Sequence, residues 1–415
     1  MGIKASVKKL IGAKNEYRVK VLKAHVKYLR TRKNTGIRMC SARWGEPKVY
    51  SLPDRHVFFG YYDLRQWKDG KLLVTTVPLK AQTARDPARL CWVEEDAGTF
   101  HQIAHTRAWC WQQGCRLRWH PVLPDTVMYN DVEGDRYVCR VVHLEKGPVA
   151  VHPRALYDVT PDGRFGLSLD YARLQRLRPG YGYDTLPDRS VGVCVPEEDG
   201  LIRVDLQTGE EKVLVSYREL VERSPEAASY ENYVNHISVA PDGRRAMFFH
   251  LWKKDRRWDG RLYTVRLDGA ELTCVAEGII PSHYCWQGAD SLMFTSVGFG
   301  GTASYYHSYD LTTGKLERLP GDHLKREGHP TFLPEGGRFL SDTYPLEGSV
   351  QRLFLSGTDG TGYEPVCEAY SDPRMFDERR CDLHPRLSPD GRCITIDTTF
   401  LDGKRSVLLL RGSVK

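Results

Sequence analysis

From about residue 46 the chain alternates short apolar and β-branched runs with clusters of Gly, Asp, Asn and Pro, which is the pattern of strands joined by tight turns. One composite unit recurs: an apolar run, a turn, then a second apolar run. It reads QWKDGKLLVTT, VLPDTVMYND, VTPDGRFGLSLD, VAPDGRRAMFFH, WQGADSLMFTS, FLPEGGRFLSD and LSPDGRCITID, with turns near residues 70, 125, 162, 242, 290, 336 and 390. In five of the seven, Pro sets φ, and Asp, Glu or Gly accepts the turn geometry. Second hairpins follow, among them LIRVDLQTGEEKVLV, LYTVRLDGAELTCV, YHSYDLTTGKLERL and LFLSGTDGTGYEPV. Two hairpins make a four-stranded blade, and seven blades close a ring without long exposed edges. The pattern therefore predicts an all-β, seven-bladed β-propeller over residues 46–415. Two stacked sandwiches would leave the sevenfold turn unexplained. The one long gap between turns, 80 residues, holds a Tyr-, Arg- and Pro-rich insertion at 171–188.

Before residue 46 the spacing changes. Ile3, Val7, Leu10 and Ile11, then Tyr17, Val21, Tyr28 and Leu29, recur at helical intervals with lysines between them. Residues 1–45 thus read as a short basic amphipathic helical extension. Charge sharpens this division. The chain carries +7 overall, but residues 1–43 alone carry thirteen Lys or Arg against the single acid Glu16. The remainder holds 47 basic and 52 acidic residues, so the main fold is slightly acidic. The extension is expected to lie on an anionic membrane surface through residues 1–35, to bind an acidic partner, or to pack on its own domain. Nucleic acid is not an expected partner, because the large domain offers no basic aromatic motif. There is no apolar run of membrane-spanning length and no secretory signal pattern. The eleven cysteines are odd in number and scattered, as free thiols would be. A cytoplasmic location follows as the expectation, peripheral at the inner membrane face if the extension binds there.

The repeat also places chemistry. His236, His283, His329 and His384 each precede the same turn position by six residues. Equal phase in sequence becomes equal height in a propeller, so the four imidazoles should converge near the channel axis. The same offset gives Asp63 in the first unit, Trp119 in the second and Leu156 in the third. Tyr61 and Tyr62 flank the first of these, and flat aromatic faces suit sugar rings. Arg379 and Arg380 precede Asp382 and His384, and guanidinium groups bind carboxylates bidentately. His329, Asp382 and His384 are ligand types for a transition metal, and alternate residues on a strand face one side. No GxSxG motif supplies a serine nucleophile. The plainer alternative is that these histidines only satisfy backbone groups across the channel.

At these residues the later blades resemble the oligogalacturonate lyases, polysaccharide lyase family twenty-two. DGRLY places Arg261 where the family has a catalytic arginine, and SHYCW places His283 and Trp286 where it has a catalytic histidine followed by tryptophan. His329 of GHPTF and His384 before Pro385 match metal histidines. Two positions depart: Asp382 stands for a histidine and Arg379 for a glutamine. The resemblance covers roughly residues 200–415. It implies a propeller that binds a divalent, manganese-type ion and cleaves an acidic oligo- or polysaccharide by β-elimination. His283 would be the base and Arg261 the partner of the developing charge. His329, Asp382 and His384 would hold the metal, and His236, Arg379, Trp119, Tyr61, Tyr62 and Asp63 would contact substrate. FFGYYD also resembles proteins of capsule-type polysaccharide loci. A noncatalytic glycan-binding propeller of polysaccharide assembly, or a protein-interaction scaffold, remain the alternatives.

Overall fold

The computed structural model describes residues 12–81, 85–254, 257–298 and 303–412. Within them, seven antiparallel sheets succeed one another along the chain. Every turn anticipated above joins the first and second strand of one sheet. Asn232–Val239 passes to Arg245–Lys254 in blade four, Pro281–Trp286 to Ser291–Ser296 in blade five, and Arg386–Leu387 to Cys393–Leu401 in blade seven. The turn chemistry is visible: the carboxylates of Asp162, Asp242 and Asp390 accept the backbone N–H two residues on, at 3.0–3.1 Å. Gly163, Gly243 and Gly391 follow at φ of 70–71°, where a side chain would be strained. The faces between blades are apolar. Leu167, Leu201, Phe248, Leu262 and Val265, for example, are fully buried in one cluster spanning blades three and four. Truncating such a side chain to alanine costs about 2–5 kcal/mol.

The ring closes through the N-terminal segment. Lys48–Tyr50 pairs with Lys404–Arg411 as the outer strand of blade seven, with Lys48 opposite Leu409 and Tyr50 opposite Val407. Ile37–Met39 adds a fifth strand to the edge of blade six, beside Glu364–Tyr370. Strand pairing therefore already occurs inside the segment that sequence spacing assigned to a helical extension, because two blade edges need partners.

Helix α1, Gly12–Thr31, precedes these strands. Ile3, Val7, Leu10 and Ile11 lie outside the described residues. The helix docks by one narrow seam. Lys20 pairs with Asp377 at 2.8 Å, the Tyr17 ring lies 6.0 Å from Phe376, Arg374 stacks over Tyr28 at 3.7 Å, and Thr31 bonds the Tyr370 hydroxyl at 3.0 Å. On the opposite side Val19, Leu22, Val26 and Leu29 are 38–64% exposed. No described helix is long and apolar enough to cross a membrane. All eleven cysteines are unpaired.

Two segments leave the blade pattern and enter the channel region. The first strand of blade one is interrupted: Arg55–Phe58 and Trp67–Lys68 both pair with Lys71–Pro78, and residues 59–66 loop out between them. The insertion of blade three begins with helix α2, Tyr171–Leu177, whose N-terminus is capped by the Asp170 carboxylate on the amides of Ala172 and Arg173.

Candidate functional site

The four in-phase histidines converge. Ring centroids are 4.0 Å apart for His283 and His329, 4.5 Å for His329 and His384, and 6.5 Å for His236 and His283. Local backbone irregularities aim them. His236 and His283 sit at β-bulges of their first strands, where two residues oppose one and a side chain is redirected. His236 and His384 adopt φ of 53° and 46°, the left-handed region that few non-glycine residues occupy. Tyr61 and Tyr62, on the loop from blade one, fill the space between. Tyr61 stacks on His236 at 5.2 Å and meets His384 edge-on at 4.8 Å, while Tyr62 lies 5.3 Å from His329. All six side chains are buried.

Neighbouring acceptors fix the tautomers. The Gly60 carbonyl can only accept, so His384 donates to it from Nδ1 at 2.6 Å and presents Nε2. His329 Nδ1 lies 2.7 Å from the Asp342 carboxylate, leaving a buried Nε2 with no partner among the described residues. Asp342, itself fully buried, also accepts the backbone N–H of His329 and of His384. Asp397 does the same for the blade-one loop, accepting the amides of Phe59 and Gly60 at 3.2 Å. Gly60 is required there. Its φ is 123°, and an added Cβ would lie 2.8 Å from the backbone carbon of Gln113.

Ligand atoms of His329, Asp382 and His384 lie within 4.8 Å of one another. Two imidazoles offering Nε2, each with Nδ1–H held by an oxygen acceptor, plus one carboxylate, fit a first-row divalent metal. The orphaned His329 Nε2 is the observation that favours such an occupant. Asp382 is not free, because Arg380 grips both its oxygens at 2.6–3.0 Å. Burial alone pushes the Asp382 carboxyl up, but Arg380 and then His329 outweigh it and hold it below the usual carboxylate range.

Burial dominates the imidazoles. His236, His283 and His384 are all driven well below the ordinary histidine value, first by desolvation and then by neighbouring cations and each other. They are therefore neutral at neutral pH, and burial makes each a weaker base than an exposed imidazole. Glu327, whose carboxylate accepts from the Ser282 hydroxyl at 2.5 Å, is pushed up by burial.

Above the cluster opens a cavity of about 440 Å³ lined by Gln112, Arg178, Tyr181, Trp258, Glu378 and Arg380, among others. Tyr181 and Arg380 stand between it and the histidines: Tyr181 lies 5.6 Å from His236, and Arg380 stacks over Tyr344, whose ring lies 6.1 Å from His283.

Several anticipated residues lie elsewhere. Arg261 is on the third strand of blade four, away from the axis, where it bonds Glu226 at 2.6 Å and the Gly260 carbonyl and covers Trp252. Its guanidinium is not brought to His283. Arg379 points toward the sulfur of Met375 and the Tyr17 side of α1, and its neighbour Arg380 occupies the channel mouth instead. Asp63 is locked in a bidentate pair with Arg116 at 2.9–3.0 Å and accepts from Tyr284. With Trp119 it lines a different, 760 Å³ cavity at the turn-side mouth of the channel, beyond the tyrosine plug. Sequence reasoning missed Arg178, Asp342, Glu327 and Tyr344. Only Asp342 left a signal, since Asp342 and Asp397 both stand seven residues after the turn position.

No family of known sequences matches this chain, and no curated protein does. Solved structures do share its fold. An oligogalacturonate lyase in complex with manganese is 18% identical, covering 91% of this chain and 96% of its own, with a TM-score of 0.62. An oligogalacturonate lyase from Vibrio parahaemolyticus is 15% identical with the same coverage and a TM-score of 0.63. The tricorn protease matches over 87% of this chain and 34% of its own, at 10% identity and a TM-score of 0.53.

Proposed function

We propose that this propeller is a polysaccharide lyase that cleaves a uronic-acid-containing oligosaccharide by β-elimination at the histidine cluster. The carrying observation is the convergence of four buried imidazoles with Asp382 beneath an arginine-lined mouth. The proton on the carbon next to a uronate carboxylate is weakly acidic, and its removal becomes feasible once the carboxylate charge is neutralised. Arg178 supplies cationic charge at the mouth, while the charge of Arg380 is offset by Asp382. His329, Asp382 and His384 would hold a divalent ion, which when bound would supply further charge neutralisation. His283, neutral through burial and buttressed at Nδ1 by the Thr295 hydroxyl 3.3 Å away, takes the proton. The C–H electron pair becomes the new C=C bond and the bond to the leaving oxygen breaks. Glu327, kept protonated more readily by burial, returns a proton to that oxygen. The products are a shortened sugar and an unsaturated one.

Ultraviolet absorbance of the conjugated product tests this. Wild-type protein with galacturonate oligomers and manganese is expected to generate it, and His283→Asn is not. No absorbance from the wild type with any uronate oligomer would remove the catalytic reading. The grip of Arg380 on Asp382 favours one second reading, a glycan receptor with the site shape but without turnover.

The exposed stripe Val19, Leu22, Val26 and Leu29, opposite the docked seam and flanked by Arg18, Lys23 and Arg30, supports a peripheral role for α1 on an anionic lipid surface. The same charge disfavours pairing with a second copy of itself.

A further inference from the structure

Of the two arginines among the described residues that line the cavity at this mouth, Arg178 and Arg380, only Arg380 is paired with a carboxylate. Arg116, Arg380 and Arg386 each hold a carboxylate, Asp63, Asp382 and Asp397 respectively. Arg178 has none among the described residues. Tyr181 and Tyr233 act on it electrostatically, and its buried Nε has no hydrogen-bond partner among the described residues. The guanidinium lies over two aromatic faces, 4.4 Å from Trp258 and 4.9 Å from Tyr181. Stacking of this kind satisfies the faces of the cation and leaves its hydrogen-bonding edge for a planar anion. A largely desolvated cation with no carboxylate bonded to it is costly unless a ligand supplies the charge.

The segment that carries Arg178 is built to hold it still. Arg173, fully buried in α2, donates to the carbonyls of Asn232, Ser190 and Val193 at 2.6–3.1 Å. The Gln175 side-chain oxygen accepts from the amides of Gly180 and Gly182, and the Gly180 carbonyl accepts from the Gln112 amide. Gly182 packs so closely that a Cβ would lie 2.1 Å from the Tyr171 carbonyl. None of these features is needed to complete blade three. They fix a turn across the top of the channel, and the cavity beside it is within the size range of ligand pockets, about 300–1,000 Å³.

We propose that Arg178 is the specificity residue of the mouth, receiving the carboxylate of an acidic sugar so that the adjoining ring lies over the histidine cluster. The assignment rests on the reading that this mouth admits a uronate chain, and it goes further by naming the group that selects for charge. A bidentate carboxylate contact of this type contributes roughly ten- to a hundredfold in affinity.

The test is calorimetric titration of trigalacturonate, and of its fully methyl-esterified form, into His283→Asn, which does not consume the ligand, and into the same protein carrying Arg178→Met. Expected is a loss of about tenfold or more for the acid form and none for the ester, with Arg178→Lys restoring part of the loss. Equal affinity of both proteins for the acid, an equal loss for acid and ester, or no binding of the acid to the parent would each overturn the proposal. Should the wild type generate no unsaturated product while Arg178-dependent binding persists, the proposal stands and the lyase reading alone fails.

Discussion

The histidines of the site were legible because a repeat converts phase into position. What holds them was legible only in the phase that Asp342 shares with Asp397, since Asp342 and Gly60 act through contacts between blades six, seven and one. Asp342 accepts from His329 Nδ1 and from the amides of both metal-type histidines. Replacing it with Asn removes the anionic acceptor, and manganese affinity measured by titration calorimetry is expected to fall about 10–100-fold. Unchanged affinity would mean that His329 is not a ligand. Arg178 left no signal, because an insertion carries no phase from the repeat. Arg261 misled for a related reason: its DGR motif predicts a strand correctly but not which way a third-strand side chain faces. Arg261→Met is therefore expected to retain uronate cleavage, with Arg178→Met impaired in the same absorbance assay.

At the scale of elements, the first-to-second strand turns followed from the recurring Asp and Gly, with Pro before them in five of the seven blades. The strand at Lys48–Tyr50 was invisible, because an edge strand is defined by its distant partner and not by its own three residues. Helix α1 was legible as a basic helix, while the seam it buries depended on where the connection from blade six to blade seven offered Asp377 and Arg374. Its free stripe carries a prediction. Full-length protein is expected to co-sediment with vesicles containing anionic phosphatidylserine, less so at high salt, and Leu22→Glu with Leu29→Glu is expected to abolish this. A concentration-dependent dimer in analytical ultracentrifugation, lost in the same variant without any vesicle binding, would assign the stripe to a second copy instead.

For the molecule as a whole, closure of the ring ties buried histidines to acid stability. Burial holds His56 at about 4 and His250 at about 3, against 6.5 for an exposed imidazole. Folded-state values below the unfolded one mean that the unfolded chain takes up protons first as pH falls. Their stabilising contribution is complete above the unfolded value and is lost progressively below it, by up to about 1.4 kcal/mol per pH unit for each group. Urea midpoints are therefore expected to drop between pH 6.5 and about 5, with a shallower drop in His250→Gln. A flat profile would show that these imidazoles are not buried neutral.

Whether an acidic sugar meets the propeller at the imidazole cluster is decided by a crystal structure of His283→Asn soaked with trigalacturonate and manganese. Sugar density is expected in the mouth between Arg178 and Arg380, with one carboxylate facing Arg178 and metal at His329, Asp382 and His384. Sugar bound at the Trp119 mouth, or anywhere outside the Arg178–Arg380 cavity, would contradict that expectation.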